Sequence, residues 1–283
     1  MGGIRAATHD REVAHRGAWT RRCAALTLLA VAPLAAGCAV SEGDADAADR
    51  SSASVSGAML EGNLHVLVAA SLLPVAEVLA GDFELLHPGV DVRIAGAGSS
   101  ALREQVLAGS PADVFIPADP SHLRTVRQEI GLSGEPVVVA RNSLVLAVPA
   151  DNDAGVAALA DLTRPELLIG LCAAEVPCGA HARAGLSRAG IEPVPDTDEP
   201  NVRALVTKLA AGELDAAVVY SSDARTAAGI ESLGWDAGSA PETTYEAAVL
   251  VGAPNTQAAE AFVDFLDSAA ARDTFVSHGF GAP

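Results

Sequence analysis

Apolar and polar residues follow one another along the chain in blocks that predict alternating strands and helices. Residues 64–70 are almost continuously apolar, as in a strand that is covered on both faces. Residues 72–86 repeat apolar side chains at helical spacing, and Pro74 fits the first turn of that helix. In residues 90–95, apolar and charged side chains alternate, which predicts a second strand.

The same patterns continue to the end of the chain and indicate an α/β protein with a largely parallel sheet. They predict strands at residues 113–117, 137–140, 144–148, 167–171, 215–220 and 245–252. They predict a short helix that ends at Gly109 and helices at residues 179–189, at residues 202–210 and in the C-terminal tail. Residues 191–201, rich in proline and solvated acidic side chains, indicate more than one packed unit. We therefore predict two lobes with a site between them.

A serine follows each of the first two predicted strands and opens a helix. These serines are Ser71 and Ser99, and small residues such as Ala70 and Gly98 precede them. Serine is also a common helix N-cap, so one explanation is that each hydroxyl only satisfies a helix end. However, both serines follow strands at the carboxyl edge of a sheet, where open α/β folds bind ligands. Helix N-termini offer free N–H groups there, which predicts a pocket for a small anion.

The amino terminus has the pattern of an export signal. Arg21 and Arg22 precede a short apolar run that is too brief to span a bilayer, so residues 1–37 are predicted to be a signal peptide. Leu34 to Cys38 resembles a lipobox, which makes Cys38 the predicted site of lipid attachment; simple secretion is the alternative. Residues 38–62, rich in Ser, Ala, Asp and Gly, are predicted to be a flexible acidic tether. The folded part would then lie outside the cytoplasm, anchored to the membrane.

Charge and cysteine content narrow the possible partners. The net charge is −18, and the first 37 residues carry five arginines, so the exported part is more acidic still. Such a surface argues against nucleic acid as a partner. Cys172 and Cys178 lie in the folded region, and we expect a disulfide between them because an exported protein meets an oxidising environment. Two buried thiols are the alternative, and no further ligands nearby suggest a metal site.

Several of these segments together resemble the periplasmic molybdate-binding proteins of ABC importers. They include Ala69-Ala70-Ser71, Gly98-Ser99-Ser100, Gly109 to Phe115 and Val219 to Ala224, and the likeness extends from residue 63 to the end. The resemblance implies a type II periplasmic-binding-protein fold with mostly parallel sheets. Lobe 1 would comprise residues 63–142 and 244–283, and lobe 2 residues 143–243. It implies a monomer that is not an enzyme, needs no cofactor, and passes molybdate or tungstate to a membrane permease.

The resemblance also implies which groups hold the oxyanion. These are the hydroxyl and amide groups of Ser71 and Ser99, the backbone amides of Cys178 and Val202, and the hydroxyl of Tyr220. The family usually has a small residue such as alanine at the position of Cys178. All of these groups are donors, which suits a dianion that carries no proton. Sulfate or another small anion is an alternative ligand. A secreted serine hydrolase is an alternative function, although neither serine lies in a Gly-x-Ser-x-Gly motif.

Overall fold

The computed structural model describes residues 59–283, in which strands and helices alternate. The strands are β1 (Glu61–Ala69), β2 (Gly89–Ala97), β3 (Val114–Ile116), β4 (Leu132–Pro149), β5 (Ile169–Cys172), β6 (Thr197–Glu199), β7 (Ala216–Tyr220), β8 (Ile230–Gly234) and β9 (Glu242–Leu250). The helices are α1 (Leu73–Leu86), α2 (Ser99–Leu107), α3 (Pro120–Glu129), α4 (Pro177–Arg188), α5 (Val202–Ala210), α6 (Ser221–Thr226), α7 (Thr256–Leu266) and α8 (Ala269–Ser277). Short 3-10 turns occupy Ala70–Leu72 and Leu159–Thr163.

The predictions for the amino terminus lie outside the described residues. This applies to the signal peptide at residues 1–37, to lipid attachment at Cys38 and to most of the tether. The tether was predicted to extend to residue 62, but β1 already begins at Glu61, because its backbone pairs with β2 from that residue onward. Within residues 59–283, no helix is long and apolar enough to cross a membrane.

Each lobe is built on a sheet with three parallel strands. In lobe 1, β1 lies between β2 and β3 and is parallel to both. In lobe 2, β5 lies between β6 and β7 and is parallel to both. β4 and β9 complete the sheets in antiparallel orientation, and β8 pairs with β4. The sequence pattern predicted a largely parallel sheet, and the three parallel strands of each lobe agree with it. The three antiparallel strands β4, β8 and β9 are more than the pattern indicated.

The long strand β4 runs through both lobes. The sequence pattern predicted two strands separated by the polar residues 141–143, but the structure has one continuous strand of 18 residues. Its first part pairs with β9 as far as Ser143, and its second part pairs with β7 from Leu144 onward. The polar residues therefore mark the crossing between lobes and do not interrupt the strand, because partner strands on both sides satisfy its backbone.

The hydrophobic core divides in the same way. One buried cluster contains residues from Leu64 to Ala140 and from Tyr245 to Phe280. A second contains residues from Leu144 to Ile230. A third, smaller cluster covers the opposite face of the first sheet, which explains why β1 is apolar along almost its whole length.

The acidic loop at residues 191–201 is part of the second sheet and does not connect the two lobes. It belongs to lobe 2 and contains β6, which pairs with β5. The sequence predicted that its acidic side chains are solvated, and for Glu199 this is wrong. Glu199 is only 7% exposed, and the Lys208 ammonium donates a hydrogen bond to its carboxylate. The Asp196 carboxylate accepts the backbone N–H of Ile169 at 2.8 Å. Backbone pairing and these specific donors order a segment whose composition is typical of an exposed loop.

Candidate functional site

A small pocket lies between the lobes, where the parallel strands of both sheets end. Ser71, Ser99 and Ala118 follow the ends of β1, β2 and β3 on one side. On the other side, Cys178 lies in α4 after β5, Val202 lies in α5 after β6, and Tyr220 is the last residue of β7. All five residues proposed from the sequence line this one pocket, at Ser71, Ser99, Cys178, Val202 and Tyr220. The carboxyl ends of parallel strands are the usual place for ligands in α/β sheets.

The two serine hydroxyls do not act as helix caps. Ser71 lies in the 3-10 turn before α1, and its hydroxyl is 2.9 Å from that of Tyr245. Ser99 is the first residue of α2, and its hydroxyl accepts the backbone N–H of Ala118 at 3.0 Å. Neither helix start has a side-chain cap. The alternative that these serines only satisfy helix ends is therefore wrong.

On the opposite side of the pocket, two helices begin with their N-termini toward it. α4 starts at Pro177, which has no N–H, so Cys178 supplies the first amide of that helix. α5 starts at Val202, and Asn201 before it accepts the N–H of Ala204 as an N-cap. The first N–H groups of a helix lack partners within the helix and carry the positive end of its dipole.

Tyr220 ends β7, and its hydroxyl is buried at the pocket. The side chain is 2% exposed, and its hydroxyl has no hydrogen-bond partner among the described residues. Burial, with smaller contributions from Tyr245, Asp223 and Asp119, raises the pKa of Tyr220 well above its ordinary value. The phenol therefore keeps its proton and can act as a donor.

The pocket is small and has no charged lining. Its volume is about 20 Å³, on a scale where a single water molecule needs about 10–15 Å³. The lining residues are apolar side chains, glycine, serine, asparagine, cysteine and tyrosine, without an acidic or basic side chain among them. In this closed arrangement the pocket has room for only a very small solute.

The two lobes touch on both sides of this pocket. The Ser100 hydroxyl donates to the backbone oxygen of Glu175 at 2.6 Å. His181 in α4 lies 3.0 Å from the carboxylate of Asp119, which precedes α3. Burial alone would raise the pKa of Asp119, but hydrogen bonds from His181 and Ser121 lower it well below the usual range. These contacts join lobe 1 to lobe 2 and describe a closed arrangement.

Gly98 lies where the backbones of the two lobes come close together. A Cβ atom at this position would lie 2.5 Å from the backbone oxygen of Pro200 in the other lobe. That distance is far below van der Waals contact, so only glycine permits the backbones to come this close.

The disulfide expected from the sequence is present. It joins Cys172 at the end of β5 to Cys178 in the first turn of α4, with 5.8 Å between the Cα atoms. The bond ties the amide-bearing first turn of α4 directly to the sheet. It holds in place the helix start at Cys178, which lines the pocket.

A buried carboxyl group, Asp223, lies beside the site. It is in the first turn of α6, is 6% exposed, and one of its oxygens has no hydrogen-bond partner among the described residues. Burial raises the pKa of Asp223 from its ordinary value of 3.8 to about 8, and Arg203 only partly offsets this. The group is therefore mostly uncharged at neutral pH, which avoids an additional negative charge next to a pocket for anions.

Sequence reasoning missed several residues that shape the site. The Tyr245 hydroxyl contacts that of Ser71, and the Asn142 amide contacts Tyr245 in turn. The backbone N–H of Ala118 donates to Ser99, and His181 forms a hydrogen bond with Asp119 across the two lobes. One signal was available for Asn142, which lies in the polar triplet between two apolar runs. The other contacts join residues far apart in the sequence, and no local pattern indicates them. Within residues 59–283, no cluster of His, Cys, Asp and Glu could hold a metal ion.

Two lobes joined through β4, with a small uncharged pocket between them, are the architecture of a protein that binds a small solute. The family model for bacterial extracellular solute-binding proteins matches residues 64–281. The molybdate-binding protein ModA of Mycobacterium tuberculosis is 33% identical over 222 residues, covering 78% of this chain and 85% of ModA. The chain therefore belongs to the family of bacterial extracellular solute-binding proteins.

Other comparisons agree with this placement. The putative ABC transporter substrate-binding lipoprotein YvgL of Bacillus subtilis is 24% identical, covering 77% of this chain and 86% of YvgL. The substrate-binding domain of a putative molybdenum ABC transporter from Clostridium difficile superposes with a TM-score of 0.60 at 25% identity, covering 78% of this chain and 99% of that structure. The sulfate-binding protein SubI of M. tuberculosis shares the fold, with a TM-score of 0.69 at 15% identity, covering 78% of this chain and 86% of SubI. The expected two-lobed type II fold is confirmed.

Removing the disulfide is expected to destabilise lobe 2 without unfolding it. We expect the double substitution Cys172→Ala and Cys178→Ala to lower the free energy of unfolding by about 2 kcal/mol, because the short covalent loop no longer restricts the unfolded chain. Urea denaturation of both proteins measures the difference. Peptide mapping of alkylated native protein that finds free thiols at both positions would contradict the bridge.

The buried carboxyl of Asp223 is expected to make stability depend on pH. Between pH 3.8 and about 8 the folded protein retains a proton that the unfolded chain has lost. Stability therefore falls as pH rises through this interval, by at most about 1.4 kcal/mol per pH unit from this one group. We expect Asp223→Asn to flatten the dependence in urea denaturation between pH 5 and pH 8. Replacement of the exposed Asp82 by Asn is the control, and an equal flattening there would contradict the assignment.

Proposed function

We propose that this chain captures molybdate or tungstate outside the cytoplasm and delivers it to the membrane permease of an ABC importer. The observation that carries the proposal is the pocket itself, a small uncharged space surrounded by hydroxyl groups and helix N-termini from both lobes. The relatives named for molybdate binding support the choice of ligand. Molybdate and tungstate are the cargo, and the proposal requires no resident cofactor.

The proposed ligands are the hydroxyl and amide groups of Ser71 and Ser99, the backbone amides of Cys178 and Val202, and the hydroxyl of Tyr220. A tetrahedral dianion can accept hydrogen bonds from all of these groups, and it does not require a buried cation. Because the protein as a whole carries a net charge of −18, binding depends on these local dipoles and not on the long-range field.

The same donor set discriminates against oxyanions that retain a proton. The proton of hydrogen phosphate would point at a donor and find no acceptor, and an unpaired buried polar group costs about 1–3 kcal/mol. We therefore propose that phosphate binds poorly. Sulfate is a second candidate ligand, because it also carries no proton at neutral pH and the sulfate-binding protein SubI shares this fold.

We propose that the lobes open and close about the crossing of β4 and β9. This divides lobe 1, residues 63–142 and 244–283, from lobe 2, residues 143–243. The change of core cluster between Ala140 and Leu144 supports this boundary. The contacts between the lobes at Ser100, His181 and Gly98 would form only on closing, which would let a permease distinguish the loaded protein.

The proposed anchor is a lipid at Cys38, followed by the tether that separates the folded part from the membrane. The lipobox-like sequence before Cys38 supports this, as does the lipoprotein YvgL among the relatives. We propose a monomer, because the site is completed by the two lobes of one chain. The folded part would then act at the outer face of the cytoplasmic membrane.

We propose that the protein binds its ligand without changing it chemically. A serine hydrolase needs a base beside its nucleophile. Within residues 59–283, the partners of the Ser71 and Ser99 hydroxyls are the Tyr245 hydroxyl and the Ala118 N–H, and neither can take up a proton as a general base. This supports binding over catalysis.

A panel of oxyanions tests the proposed function. We expect isothermal titration calorimetry of the purified protein to detect tight binding of molybdate and tungstate, weaker binding of sulfate, and little or no binding of phosphate. Tight binding of sulfate together with no response to molybdate or tungstate would overturn the ligand assignment. Hydrolysis of an ester or peptide panel that depends on Ser71 would overturn the assignment as a binding protein.

Replacing Ser99 by alanine tests one ligand contact. We expect the affinity for molybdate to fall by about 1.5–3 kcal/mol, as for a hydrogen bond to a charged group. This corresponds to roughly a 10- to 150-fold rise in dissociation constant. The exposed Ser110, replaced by alanine, is the matched control. An affinity equal to that of the control, in a variant shown by circular dichroism to be folded, would mean that Ser99 does not bind the ion.

A further inference from the structure

A chain of buried side-chain hydrogen bonds leads from Ser71 away from the pocket. The Ser71 hydroxyl is 2.9 Å from the Tyr245 hydroxyl, and the Asn142 amide nitrogen lies 3.4 Å from the same Tyr245 oxygen. That nitrogen also donates to the Ser222 hydroxyl at 2.7 Å. All four side chains are at least 95% buried. These hydrogen bonds therefore connect Ser71, a proposed ligand residue in lobe 1, to Ser222 in lobe 2, through the place where β4 and β9 meet.

The orientation of the Asn142 amide group is determined by its neighbours. The backbone N–H of Ser143, which can only donate, lies 3.0 Å from the side-chain oxygen of Asn142. The Ser221 hydroxyl donates to the same oxygen at 2.8 Å. The amide oxygen is thus engaged on this side, and the amide nitrogen faces Tyr245. Because an amide NH₂ group has only protons to offer, the Tyr245 oxygen must accept from it.

This orientation determines the direction of every bond up to the pocket. A phenol has a single proton, and a buried hydroxyl proton needs an acceptor. Among the described residues the Tyr245 oxygen has two partners, the Asn142 amide, which can only donate to it, and the Ser71 oxygen, which is therefore the acceptor for the Tyr245 proton. Donation in this direction leaves the proton of Ser71 for the pocket. Burial raises the pKa of Tyr245 above its ordinary value, so the phenol keeps the proton it donates.

Ser99 is held in the same state by a different group. Its oxygen accepts the backbone N–H of Ala118 at 3.0 Å, and a backbone N–H can never act as an acceptor. The proton of Ser99 is therefore also left for the pocket. Each serine oxygen thus already accepts one hydrogen bond from the protein, and this orients its own proton toward the pocket before any ligand binds.

We propose that Asn142 and Tyr245 are positioning residues that fix the direction of the hydrogen bonds at Ser71, and that they make this half of the pocket selective for oxyanions without a proton. This inference rests on the proposed oxyanion site and assigns roles to two residues that are not ligands. If Ser71 were free to turn, its oxygen could accept the proton of hydrogen phosphate, and discrimination would weaken.

The substitution Asn142→Asp should reverse the direction of the hydrogen bonds that run from residue 142 through Tyr245 to Ser71. A carboxylate has no proton to donate, and the donors around position 142 favour its ionised form. Tyr245 would then donate to the introduced carboxylate, and Ser71 would donate to Tyr245 and present its lone pairs to the pocket. We expect the affinity for molybdate to fall about tenfold or more. The affinity for hydrogen phosphate should stay unchanged or rise, so the ratio of the two dissociation constants changes about tenfold or more in favour of phosphate.

Ser143→Asp is the matched control for the added charge. Ser143 follows Asn142 in β4, its side chain takes no part in the hydrogen bonds behind Ser71, and it lines a different cavity. This control should weaken the binding of both ions to a similar degree and leave the ratio of their dissociation constants unchanged, when measured by calorimetry at one pH where both are dianions. An equal loss of selectivity in both variants would overturn the inference, because charge alone would explain the effect.

Tyr245→Phe tests the same inference without a new charge. The phenylalanine keeps the ring packing on Tyr220 and Phe280, whose ring centres lie 6.3 and 5.5 Å away. It removes the donor to Ser71, so the selectivity for molybdate over hydrogen phosphate should fall several-fold. Should Asn142→Asp fail to fold, this variant decides alone, and an unchanged selectivity would overturn the inference.

The proposed function can fail separately. Wild-type protein that binds sulfate and not molybdate would overturn the ligand assignment, and the same three variants would then be compared with sulfate against hydrogen phosphate. Wild-type protein that binds hydrogen phosphate as tightly as the ions without a proton would overturn the inference on direction while leaving an anion site in place.

Discussion

The antiparallel pairing of β4 with β9 is the constraint on which the rest of the structure depends. Asn142 of β4 pairs with Thr243 near the start of β9, at the point where β4 passes from the first sheet to the second. Because β4 belongs to both sheets, the two sheets are held with the carboxyl ends of their parallel strands toward the same space. The loops and helix starts that follow those ends then meet in one pocket, although they come from widely separated parts of the chain.

The pocket can stabilise an anion with the dipoles of hydroxyl groups and helix N-termini, without any charged side chain in its lining. A strongly acidic protein repels anions at a distance, yet its pocket has no charged lining, and its polar groups are hydroxyls and helix N-termini. The buried carboxyl of Asp223 fits this scheme because desolvation keeps it mostly protonated at neutral pH. Fixed dipoles in a desolvated pocket need no reorganisation when the ligand arrives, and they are stronger there than in water.

Much of the fold and part of the site could be predicted from local sequence. The strand before Ser71, the helix after Ser99 and the disulfide at Cys178 follow from apolar periodicity, small residues and compartment, and the structure confirms them. The polar triplet around Asn142 coincides with the predicted boundary between the lobes, but the strand break that was also predicted there is wrong, because partner strands satisfy the backbone of β4 on both sides of it. The role of Tyr245 could not be predicted, because its contact with Ser71 spans 174 residues.

The sequence by itself determined the α/β class, the acidic surface, and the positions of the two serines after their strands, because these depend on side-chain type and on spacing along the chain. Only the tertiary structure decided which groups the two hydroxyls contact. A serine at the start of a helix can cap that helix or face a pocket, and the choice depends on distant partners. Here the Ser99 oxygen accepts the N–H of Ala118 and the Ser71 hydroxyl lies 2.9 Å from that of Tyr245, so both serines are engaged by groups outside their own helices and both line the pocket between the lobes.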